Sequence, residues 1–184
     1  MSLIWADDTE RLFVACDLPR EVIRALNSWQ LQELEGRDDL RATGSLHLTL
    51  AFLGDVRKDR VPRVVEALAT VSFPPFVLKL DEPVFLPRRG PKKVVALSVS
   101  DAGGELLRLQ EAVSRVLADA GLLKPGKRPW VPHVTVARYR RGGQPFSLQN
   151  VNIPRFGVVR MVLYSSLLER AGAVHTPVEA FPAS

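Results

Sequence analysis

Two short stretches of this chain repeat one pattern, Leu46-His47-Leu48-Thr49-Leu50 and Pro132-His133-Val134-Thr135-Val136. In each, a His and a Thr two residues apart are interleaved with apolar residues. Strand side chains alternate between faces, so each stretch, read as a strand, presents its imidazole and hydroxyl on one side and packs its aliphatic residues behind. The chain has only three His, and a repeat that uses two of them in this way predicts two half-sites facing one cleft.

Around these strands the pattern of elements also repeats. Arg11 to Asp17 is expected as an apolar strand, and Asp17-Leu18-Pro19 as a helix entry with Asp17 as cap; the helix runs to about Glu35. A polar loop through Ser45 leads to a strand over Leu46 to Leu53, ended by Gly54-Asp55. After a helix near Asp59 to Ala69 and a strand at Phe76 to Asp81, the series returns: strand Lys93 to Val99, helix Gly104 to Ala120, His-bearing strand Val131 to Arg138. Gly157 to Leu168 and Ala173 to Ala180 are expected as two further strands, turned at Arg170-Ala171-Gly172. The fold predicted is α+β, one two-lobed domain over residues 1–184, with pseudo-twofold duplicated sheets flanking a cleft and helices outside.

Composition narrows the setting. The net charge is +5, and basic residues gather at Arg88 to Lys93, Lys124 to Arg128 and Arg138 to Arg141, the last two flanking the second His strand. An anionic partner is indicated. Cys16 is the only cysteine and sits in an apolar run, so it reads as a small buried hydrophobe. The acidic N-terminus does not read as a signal peptide, and no apolar run is long enough to span a bilayer. A cytoplasmic, monomeric protein without a membrane partner is expected.

Paired imidazoles supply what concerted acid and base catalysis needs, one ring neutral and one protonated. A hydroxyl beside each suits the non-bridging oxygens of a phosphate. Arg138, on the second His strand, is the arginine best placed to meet charge on phosphorus, although alternation aims it at the opposite face unless a twist or bulge intervenes. Trp130, three residues before His133, could stack a nucleobase or pack in the core. His175 lacks the spacing and belongs to a loop or edge strand. No nucleotide-cradling loop, zincin motif or metal-ligand set is found, so neither cofactor nor metal is called for.

These residues resemble those of the 2H phosphoesterase superfamily, whose two His-x-Thr/Ser-x signatures match His47-Leu48-Thr49-Leu50 and His133-Val134-Thr135-Val136. The surrounding text, Arg11-Leu12-Phe13-Val14-Ala15, Ala51-Phe52-Leu53-Gly54 and Ala137-Arg138, is closer still to the RNA 2′,3′-cyclic phosphodiesterases, also called 2′-5′ RNA ligases. The resemblance implies metal-independent hydrolysis of an RNA 2′,3′-cyclic phosphate end to a 2′-phosphate, and ATP-independent 2′-5′ ligation in reverse. It implies His47 as general acid, His133 as general base, and Thr49 and Thr135 on the phosphate. Cleavage of 2′-5′ oligonucleotides and RNA binding with little catalysis are the alternatives.

Overall fold

The unbroken apolar run of the first strand, β1 (Thr9–Asp17), buries Leu12 to Cys16, as a strand covered on both faces requires. The structure, a computed structural model, describes residues 8–124, 129–169 and 172–184. From β1 the chain enters α1 (Arg20–Glu33) through Pro19, where a missing N–H costs nothing. Asp17 does not cap this helix, contrary to the sequence expectation. Its carboxylate faces the cleft and accepts hydrogen bonds from Tyr164 and Arg160.

The remaining elements are β2 (Leu40–Ala42), β3 (His47–Arg57), a 3-10 turn (Lys58–Arg60), α2 (Val61–Ala69), β4 (Phe76–Leu86) and β5 (Lys92–Ser100). They are followed by α3 (Glu105–Asp119), β6 (His133–Gly143), β7 (Phe156–Val158), β8 (Arg160–Glu169) and β9 (Gly172–Pro182). β6 runs on to Gly143, and the single strand expected over Gly157 to Leu168 is two, β7 pairing with β4 and β8 with β1; three further differences have local reasons. β3 runs past Gly54, whose φ of 74° makes a register shift rather than a stop. β4 continues through Pro83, which lies at a register shift where no ladder N–H is needed. The loop after α1 holds β2, paired to β6. The turn expected at Arg170-Ala171 lies outside the described residues, as does most of the Lys124 to Arg128 cluster.

The strand order β7-β4-β5-β6-β3-β1-β8-β9 reads as a palindrome, with β6 and β3 at its centre. β5 corresponds to β1, β4 to β8 and β7 to β9. The repeat seen in the sequence is therefore a pseudo-twofold axis between β3 and β6, where one register pair, Leu48 with Val134, joins the halves. Leu48, Leu50, Val134 and Val136 point to the covered face and pack with Leu26, Leu68, Leu109, Val113 and Leu117 of the helices. Each such leucine contributes roughly 2 to 3 kcal/mol by leaving water. The other face carries the half-exposed His47, Thr49, His133 and Thr135.

Candidate active site

The central register pair fixes the site. Leu48 opposite Val134 puts His47 across from Thr135 and Thr49 across from His133, all four on the open face. Side chains directly opposite in an antiparallel pair have Cβ atoms about 5 Å apart. The two half-sites thus form one quadrilateral, imidazole against hydroxyl on each side of the axis.

Both imidazoles are held alike. His47 Nδ1 lies 3.1 Å from the carbonyl of Ser45, and His133 Nδ1 lies 2.7 Å from that of Val131. A carbonyl only accepts, so Nδ1 carries the hydrogen in both rings and Nε2 is the atom left for proton transfer. In each half the restraint comes from the residue two before the His.

A bulge then settles the parity of Arg138. Val95 pairs with Ala137 and Ala96 with Thr135, which leaves Val136 as an extra residue in β6 and turns Arg138 to the same face as Thr135. The same irregularity occurs in β3, where Val14 pairs with Ala51 and Ala15 with Thr49, leaving Leu50 extra. Phe52 is accordingly the counterpart of Arg138, a 50% exposed ring on the open face with the Arg11 guanidinium 5.0 Å from its centroid. Each bulged carbonyl takes a glutamine amide from a helix: Gln30 of α1 donates to Val136 at 2.6 Å, and Gln110 of α3 donates to Leu50 at 3.3 Å. Gln30 also reaches the Thr43 carbonyl and is only 5% exposed.

The two wings differ beyond this frame. On the His47 side a cavity of about 390 Å³ is lined by Phe13, Tyr164 and His175 together with Asp17 and Arg160. Motif spacing leaves His175, on edge strand β9, outside the site, yet its ring stands edge-on to His47 at 5.3 Å and to Phe13 at 4.8 Å. Its Nδ1 is buried without a hydrogen-bond partner among the described residues. Burial and then the neighbouring His175 lower the His47 pKa to about 4; the hydrogen bond to the Ser45 carbonyl opposes them, Arg138 lowers it further, and Asp17 raises it least. Burial and Arg138 lower that of His175 as well. Tyr164 is raised, chiefly by burial and by donating to Asp17. No local pattern announces these residues, because the β1, β8 and β9 pairings that gather them join distant parts of the chain.

Other sequence readings resolve plainly. Trp130 is half-buried against the core and donates its indole N–H to the Thr49 carbonyl at 3.2 Å, so it braces the first half-site. Cys16 is fully buried and burial pushes its thiol up to about 12, far from a nucleophile. Among the described residues no three His, Cys, Asp or Glu side chains gather as metal ligands.

A model of the 2′-5′ RNA ligase superfamily matches residues 18–151, a span that takes in both half-sites. The chain belongs to this superfamily. An RNA 2′,3′-cyclic phosphodiesterase of Archaeoglobus fulgidus is 34% identical over 136 residues, 71% of this chain and 73% of that one. The protein of that name from Escherichia coli is 28% identical over 181 residues, 94% and 96% of the two chains. Escherichia coli LigT complexed with 3′-AMP superposes with a TM-score of 0.84 at 26% identity, covering 96% of this chain and 99% of that one. TT0787 of Thermus thermophilus gives 0.79 at 27% identity over 94% and 97%. The kinship and the α+β fold expected from the sequence are both borne out. In this superfamily member the matched span begins just after β1, so Phe13 and Asp17 join the site from outside it.

Proposed function

We propose that the protein hydrolyses RNA 2′,3′-cyclic phosphate ends to 2′-phosphates with its own side chains as acid and base. The observation that supports this is the register of Leu48 with Val134, which sets two clamped imidazoles and two hydroxyls opposite one another on one face of the sheet. His133 Nε2 takes a proton from water as its oxygen attacks phosphorus. The P–O3′ bond breaks, and the 3′ oxygen takes a proton from His47 Nε2. Thr49, Thr135 and Arg138 hold the non-bridging oxygens, where charge builds in the transition state. His47 is neutral in the free protein at pH 7. The negative charge of the bound anion therefore also serves to favour the imidazolium that the leaving oxygen requires.

With a 5′-hydroxyl in place of water the same steps form a 2′-5′ linkage, the strained cyclic phosphate providing the driving force without ATP. Phe52, exposed beside Thr49, is better placed than Trp130 to receive a nucleobase face. A cytoplasmic monomer is the setting we infer; no helix of the described residues is long and apolar enough to cross a membrane.

The test is incubation with a 2′,3′-cyclic nucleotide in EDTA, with the product resolved by phosphorus NMR. A 2′-phosphate is expected. No turnover would sink the proposal in favour of an RNA-binding module, and a 3′-phosphate would exchange the roles of the two oxygens.

A further inference from the structure

Across the pseudo-twofold axis from the aromatic cavity, a second cavity of about 300 Å³ is walled in part by Val84, Leu86, Arg88, Lys92, Val131 and Pro145. Val84 and Leu86 of β4 pair with Ala96 and Val94 of β5, and these pair with Thr135 and Arg138 of β6. Paired side chains share a face, so the Val84 and Leu86 part of the cavity wall and the second half-site belong to the same open surface. Val131, whose carbonyl takes the Nδ1 hydrogen of His133, lines it too. Lys92 donates to the carbonyls of Pro87 and Arg88 at 3.0 and 2.8 Å, which fastens the turn that brings the exposed Arg88 to the cavity.

Water attacking a cyclic phosphate has no use for such a space. An apolar hollow of this size with a cation at its edge has the character of a small-molecule site, and it lies on the wing of the imidazole that activates the nucleophile. We propose that this cavity seats the nucleoside of a second RNA strand, the one that brings the 5′-hydroxyl in ligation and carries the 5′ oxygen away in cleavage of a 2′-5′ linkage. The inference rests on the reading of His133 as the group on the nucleophile's side. In ligation the 5′ oxygen bonds to phosphorus and yields its proton to His133, while the P–O3′ bond breaks and the 3′ oxygen is protonated by His47. Cleavage is the reverse: the 3′-hydroxyl attacks the 2′-5′ diester, the 5′ oxygen leaves with a proton from His133, and a 2′,3′-cyclic phosphate results. The apolar wall takes the ribose and base, and Arg88 meets the phosphate that follows in a longer strand.

The experiment compares wild type, Val84→Trp and Arg88→Ala on two substrates in EDTA: adenosine 2′,3′-cyclic phosphate and a 2′-5′-linked adenosine trinucleotide. Val84→Trp fills the hollow and is expected to lower the ratio of diester cleavage to cyclic phosphate hydrolysis at least tenfold, mainly through KM. Arg88→Ala, an exposed change that leaves folding alone, is expected to lower it about threefold or more and decides the matter should the tryptophan variant not fold. An unaltered ratio in the folded variants would overturn the proposal, as would a wild-type protein that hydrolyses the cyclic phosphate and leaves the trinucleotide intact. Absence of cyclic phosphate hydrolysis in the wild type would remove instead the reading on which it rests.

Discussion

In the proposed reaction, His47 is the residue on which the proton inventory turns. Its pKa of about 4 in the free protein means that NMR of the ring should show a titration midpoint near that value, rising when inorganic phosphate or a 2′-nucleotide is added and rising also in His175→Asn. A midpoint near 6.5 that ignores phosphate would mean that the cavity does not bury the ring. The same depression has a consequence for stability. The unfolded chain takes up a proton at His47 near pH 6.5, whereas the folded protein resists until about pH 4. The contribution is therefore whole above pH 6.5 and is lost as pH falls from 6.5 toward 4, by up to about 3 kcal/mol. Urea unfolding at pH 7 and pH 5 should show this loss in wild type and a smaller one in His47→Gln; equal losses would contradict it. Among single residues the sequence made the shared face of His47, Thr49, His133 and Thr135 legible because strand alternation is a local rule. It could not reveal His175 or Tyr164, which join the cavity beside His47 only through the β1–β8–β9 ladder.

At the scale of elements, the two bulges do more than bend strands. Alternation alone puts Arg138 on the wrong face; the extra Val136 corrects it, and the extra Leu50 does the same for Phe52. A bulge depends on which hydrogen bonds the partner strand offers, so its position was not written in the local sequence, although the need for one at Arg138 was. What stabilises the β6 bulge is Gln30, buried and bonded to both Val136 and Thr43. Gln30→Leu keeps the size but leaves those carbonyls with one partner fewer, at a cost of about 1 to 3 kcal/mol. Because the bulge aims Arg138, this variant should also lose activity while still folded, with KM for the cyclic nucleotide rising. Arg138→Ala should lose at least as much and, combined with Gln30→Leu, little more. Full additivity of the two would mean that Gln30 acts on the core alone.

Taken whole, the molecule is a duplicated frame with unlike wings. The palindromic sheet brings both half-sites to one surface, as the repeat in the sequence implied, while the flanking strands line one side with Phe13, Tyr164 and His175 and the other with apolar residues beside Arg88 and Lys92. The frame tolerates little loss at its centre: Leu48 is fully buried where the halves join, and Leu48→Ala should cost about 3 kcal/mol in unfolding free energy. A variant within about 1 kcal/mol of wild type would mean that the join is looser than its burial indicates. The central claim, that the two imidazoles act on one phosphate as acid and base, is tested most directly by kcat/KM against pH for wild type, His47→Ala and His133→Ala on a 2′,3′-cyclic nucleotide in EDTA. Wild type should give a bell. Each variant should fall by roughly two to four orders of magnitude, His133→Ala losing the acid limb and His47→Ala the alkaline limb. A variant that keeps the wild-type rate, or that keeps both limbs, would contradict it.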